Sequence, residues 1–173
     1  MKILITADLH YREHWFRWLS AQAGDFDLIC MAGDLLDMFC GEPRIAQARE
    51  VSRWIRDLAK LSRVAICSGN HDDAGRQISA DRAPVYEWLF ALGKERNIIT
   101  DGVTQTVNDL IVTTVPYHCS KQQKSVWLDR GSTFLDAPFP NHIILDTNSG
   151  QARWETSSKE WIPEDLFTKF PPA

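Results

Sequence analysis

The chain carries no net positive charge, no apolar run of membrane length and no paired-cysteine motif. Its formal charge of −4 gives no electrostatic ground for non-specific nucleic-acid binding, so nucleic acid enters only as a substrate. No stretch approaches the roughly 20 apolar residues of a membrane-spanning helix, and no membrane partner is expected. The N-terminus opens on a short apolar run with one lysine and no cleavage pattern, so no signal peptide is expected. Four cysteines, Cys30, Cys40, Cys67 and Cys119, occur without Cys-x-x-Cys spacing. Two of them fall in expected core strands. They read as reduced, buried residues of a cytoplasmic protein rather than as zinc ligands. Internal repeats and low-complexity segments are absent too. With 44% hydrophobic and 24% charged residues over 173 positions, the composition is that of one globular domain, residues 1–173, with its own core.

Three apolar runs organise the first half, and each ends in a polar loop. Lys2-Ile3-Leu4-Ile5 leads into Thr6-Ala7-Asp8-Leu9-His10. Leu28-Ile29-Cys30-Met31 leads into Gly33-Asp34-Leu35-Leu36-Asp37. Val64-Ala65-Ile66-Cys67 leads into Ser68-Gly69-Asn70-His71-Asp72. Any one of these loops alone reads as an ordinary surface turn, because Gly, Asn and Asp are turn residues. Helical segments separate the runs. Trp15, Phe16, Trp18, Leu19 and Ala23 recur at helical spacing between Tyr11 and Ala23, as a packing stripe rather than a substrate platform. A second helix starts at Pro43 and runs to about Leu61, with Ile45, Ala48, Val51, Ile55 and Leu58 on its buried side. Strand-helix-strand-helix-strand predicts a parallel sheet. Ligands of such sheets sit outside the carboxyl ends of the strands. Asp8, His10, Asp34, Asn70 and His71 would then face one point. Carboxylate, imidazole and amide oxygen together suit manganese, iron or zinc, and two such ions can clamp a phosphoryl group.

The second half reads differently. Pro84 to Leu92 is an expected helix and Asn97 to Thr100 an expected strand, followed by a turn at Asp101-Gly102. Thr104 to Val107 and Leu110 to Val115 form an expected hairpin through Asn108-Asp109. His142 to Asp146 is a late strand, paired back through a turn with Gln151 to Thr156. This half is expected to be antiparallel or mixed.

Asp-x-His (Asp8, His10), Gly-Asp-x-x-Asp (Gly33 to Asp37) and Gly-Asn-His-Asp (Gly69 to Asp72), in that order and each after a strand, resemble the motifs of the calcineurin-like metallophosphoesterases. The resemblance implies an α/β fold, a layered α-β-β-α sandwich with mixed sheets, that hydrolyses a phosphate ester. It implies two divalent metal ions and a metal-activated hydroxide. Asp8 and His10 would bind the first ion, Asp34 would bridge both, and Asn70 would bind the second. His71 would hydrogen-bond the phosphate or protonate the leaving oxygen. Asp72 would orient His71 or support the ligands, and Asp37 would act from behind them.

The chain departs from the family in its second half, where Gly-His-x-His is absent. Beyond His71 only His118 and His142 remain. His118, in a loop after a strand, is the better candidate for a replacement ligand. Pro140 to Asp146 is similar to the strand that follows the missing motif in longer relatives. The chain reaches it almost directly after Trp127-Leu128-Asp129, which implies a missing segment near Asp129 to Pro138. The alternative to an enzyme is a catalytically impaired relative acting as a metal- or phosphate-binding module.

Overall fold

The computed structural model describes residues 1–74, 87–115, 141–149 and 151–156. Strands β1 (Lys2–Thr6), β2 (Leu28–Ala32), β3 (Arg63–Cys67) and the short β4 (Ile98–Ile99) pair in parallel. Helices α1 (Glu13–Gln22), α2 (Arg44–Ala59) and α3 (Glu87–Leu92) lie between them in sequence. A hairpin of β5 (Thr104–Val107) and β6 (Leu110–Thr113) forms a separate two-stranded sheet. Strands β7 (Asn141–Asp146) and β8 (Gln151–Thr156) then return to the main sheet, with β7 antiparallel to β1. The strand order is β4-β3-β2-β1-β7-β8.

The central strands are apolar on both sides because both sides are covered. Leu4, Ile29, Met31, Val64, Ile66 and Ile98 belong to one core with the buried stripes of α1, α2 and α3. Ile3, Leu28, Ala65 and Ile99 point the other way and pack with Val107, Leu110 and Val112 of the hairpin. Three layers result: helices, six-stranded sheet, two-stranded sheet. Among the described residues no helix covers the second sheet, so three of the four expected layers are in view. Residues 129–138, where the sequence implies a missing segment, lie outside the described residues, as does His118.

Local chemistry moves several expected boundaries. Helix α1 starts at Glu13 rather than Tyr11 because Tyr11 takes a left-handed conformation (φ 56°) and its N–H donates to the Leu35 carbonyl at 2.7 Å. Pro43 stands just before α2 with extended backbone. Ile45, expected in the buried stripe, is exposed, and Gln47 is buried instead. Gln47 faces the preceding loop, whose carbonyls it satisfies. The expected hairpin is present, with Asn108 at φ 52° in its turn. Among the described residues no helix is long and apolar enough to cross a membrane.

Candidate metal centre

The loops that follow β1 and β2 are joined by their own backbones, and the loop that follows β3 is joined to the second through carboxylates. Asp8 N–H donates to Gly33 O at 3.1 Å, His10 N–H to Asp34 O at 2.9 Å, and Tyr11 N–H to Leu35 O. These three bonds hold the first loop along the second. They require unusual backbone: Asp8, His10, Tyr11 and Asp34 all have positive φ, between 42° and 58°. Each such non-glycine residue costs on the order of 1 kcal/mol or more, and strain of this kind gathers at functional sites.

The third loop joins the second through Asp72. Its buried carboxylate accepts from four backbone amides: Asp34 (3.0 Å), Leu35 (2.7 Å), Leu36 (3.0 Å) and Gly69 (2.7 Å). Burial pushes this carboxyl up to about 7, against the pull of the Gly69, Leu36 and Leu35 amides, and the Asp34 charge adds to the rise. The indole of Trp88 donates to the Asp72 carbonyl at 2.9 Å, pinning α3 under the loop. Of the two roles the sequence offered Asp72, support of the ligand loops matches these bonds. None of them goes to the His71 ring.

Glycine is required where the second and third loops touch. A Cβ on Gly33, itself at φ 90°, would stand 2.7 Å from Gly69 Cα. A Cβ on Gly69 would run into the backbone and carboxylate of Asp34. The contact brings the His71 N–H within 3.0 Å of Asp34 Oδ1. On the far side of the loop, Ser68 N–H donates to the buried Asp101 carboxylate at 2.7 Å. The sequence presented Asp101 only as a turn residue.

Asp8, His10 and Asp34 meet at this edge. Each offers one ligand atom, and these atoms lie within 4.8 Å of one another. His10 Nε2 is 3.7 Å from Asp8 Oδ1. Two atoms each about 2.1 Å from one ion stand no more than about 4.2 Å apart, so this pair fits a shared ion and the third needs a small closure. The Asp8 side chain is well exposed, yet burial of the remainder and then the Asp34 charge raise its carboxyl above the usual range, while His10 pulls it down. Two carboxylates held together in this way are relieved by a cation.

His71 sits beside His10 with the rings edge to face, centroids 4.8 Å apart. Its Nδ1 is buried and has no hydrogen-bond partner. Such a group is costly unless a ligand uses it. Asn70 is exposed on the same loop, one residue before the N–H that reaches Asp34. Asp37 is occupied with its own loop, its Oδ1 accepting from Phe39 N–H at 2.7 Å. His142 stands opposite Thr6 in the β1–β7 register, which places its backbone at the carboxyl edge of β1. The carboxylate–imidazole–carboxylate set fits a divalent metal by its chemistry and spacing.

The family model for calcineurin-like phosphoesterases matches residues 1–169. The chain belongs to the calcineurin-like phosphoesterase family. Members of this family are, in general, hydrolases of phosphate esters that use divalent metals. No curated protein matches the sequence. Among solved structures, one crystal structure superposes with a TM-score of 0.53 at 11% identity, covering 91% of this chain and 99% of that one. This likeness is one of fold alone. Phosphopantetheinyl hydrolase from Mycobacterium tuberculosis is 16% identical over 78% of this chain and 53% of its own length. Its TM-score is 0.40.

Proposed function

We propose that this protein is a metal-dependent phosphoesterase with a dinuclear site. The observation that carries the proposal is the Asp8–His10–Asp34 cluster on two loops locked together by backbone bonds. Asp8 and His10 hold the first ion. Asp34, with two carboxylate oxygens, would be available to both ions, and its Oδ1 is already oriented by the His71 amide. Asn70 offers an amide oxygen to the second. Bound manganese, iron or zinc supplies positive charge to the phosphoryl oxygens and makes a water acidic near neutral pH. His71 holds a proton within reach of the leaving oxygen, the role open to a ring with an unpartnered nitrogen beside the cluster. The substrate is a phosphate ester. Free thiols at Cys30, Cys40 and Cys67 support a reducing, cytoplasmic setting.

The absence of Gly-His-x-His favours a second reading, an impaired relative that binds one metal or a phosphate without turnover. Metal content per chain after manganese loading and desalting separates the two, read together with hydrolysis of an aryl phosphate. The enzyme reading expects two ions, and a His71→Ala variant that keeps them while losing about 10²- to 10⁴-fold in kcat. One ion and no turnover by the parent protein would establish the binding module instead.

A further inference from the structure

The loop between β2 and α2 presents an aromatic ring to solvent beside His71. Phe39 is 87% exposed, and its ring lies edge to face with His71, centroids 6.0 Å apart. An isolated exposed Phe needs no explanation. This one stands on a built support. Gln47 is fully buried, accepts from Asp37 N–H at 2.8 Å, and donates through Nε2 to the carbonyls of Asp37 (2.9 Å) and Glu42 (2.8 Å). Asp37 Oδ1 in turn accepts from the Phe39 N–H. A buried amide, a capping carboxylate and the start of α2 thus fix the loop that carries the ring. A loop held in this way can offer an apolar surface without first being ordered, which lowers the entropic cost of a contact.

We infer that Phe39 is a specificity-determining residue that receives the flat, apolar leaving group of an aryl or nucleoside-like phosphate ester. This deepens the phosphoesterase reading and rests on it. A proton from His71 goes to the leaving oxygen, so the leaving group must lie against His71. Phe39 is an exposed apolar surface in ring contact with that residue. Aromatic rings in offset or edge-to-face contact gain roughly 0.5–1.5 kcal/mol beyond area burial, about a two- to twelvefold preference.

Phenylphosphonate and methylphosphonate test this without turnover, since both carry the same anion and only one carries a ring. Their binding to manganese-loaded protein is measured by calorimetry for the parent, Phe39→Ala and Phe39→Trp. The parent is expected to bind phenylphosphonate about two- to twelvefold more tightly than methylphosphonate. Phe39→Ala should erase the difference while keeping methylphosphonate affinity, and Phe39→Trp should retain it. Equal affinities in the parent, or a preference that survives in Phe39→Ala, would overturn the role of Phe39 and leave the phosphoesterase reading standing. Failure of the loaded parent to bind either anion would overturn both.

Discussion

The two halves of this chain are held together by different kinds of contact. In the first half the decisive bonds are long-range: Asp72 reaches amides 36 to 38 residues away, and the first loop lies along the second by three backbone bonds. In the second half the strands mostly close on near neighbours, β5 on β6 and β7 on β8. The first arrangement fixes the side chains of the candidate metal site at one sheet edge. The second covers a sheet face and extends the sheet. Among the links between them, one thread reaches the third loop from the side of the hairpin. Asp101, just after β4, accepts the Ser68 N–H, while the Thr114 hydroxyl donates to the Thr100 carbonyl at 2.6 Å. The covering half thereby braces the loop that carries Asn70 and His71.

The comparison breaks most readily at Asp72. Asp72→Ala leaves four backbone amides without their acceptor, three of them in the second loop. Each unsatisfied buried group costs about 1–3 kcal/mol, so a loss of at least about 3 kcal/mol in urea unfolding is expected. Metal retention should fall with it. A loss under about 1 kcal/mol would show that the loops hold without this carboxylate.

Asp101→Ala tests the thread from the other half, with a smaller effect. One amide bond is lost, for about 1–2 kcal/mol of stability. If the second half braces the site, metal affinity falls while Asp8, His10 and Asp34 are untouched. If it only covers the sheet, stability falls and metal affinity of the folded protein does not change.

The same contrast explains what could be read from the sequence. The first half announced itself because apolar runs of strand length ended, three times, in loops of Asp, Asn and His. That pattern needs only the order of residues along the chain. The hairpin at Asn108-Asp109 was legible for the same local reason. Asp72 was visible as a polar residue, but its partners are amides of another loop, and no pattern of side chains marks an amide as a donor. Gln47 was hidden because it is a polar residue on the buried stripe, one turn before Val51, and its side-chain amide serves the preceding loop, while Ile45, apolar and at nearly the right spacing, was the more obvious core candidate. Asp101 looked like half of an Asp-Gly turn. Left-handed backbone at Asp8, His10, Tyr11 and Asp34 leaves no compositional trace when the residues are not glycine.

The smallest expected effect asks whether the second half is a fixed cover. Cys30 and Cys67 belong to the sheet strands and are half-buried. Burial pushes the Cys30 thiol up to about 12, with the nearby Cys67 adding to it. Burial pushes the Cys67 thiol up to about 11; the Val115 amide eases the rise and the Asp101 charge adds to it. The thiolate is the reactive form, so each unit of upward shift removes about nine-tenths of the reactive species at a given pH. Iodoacetamide at pH 8 should therefore modify Cys30 and Cys67 at least about a hundredfold more slowly in the folded protein than in the urea-unfolded protein, as read by peptide mapping. The protection has a sign in pH as well. Unfolded thiols lose their protons near 9 while the folded ones keep theirs to about 11 or 12, so this contribution to stability falls as pH rises from about 9 towards 11. Rapid modification of Cys30 in the folded protein at pH 8 would mean that the hairpin opens on its own, and that the brace at Asp101 is made and broken with it.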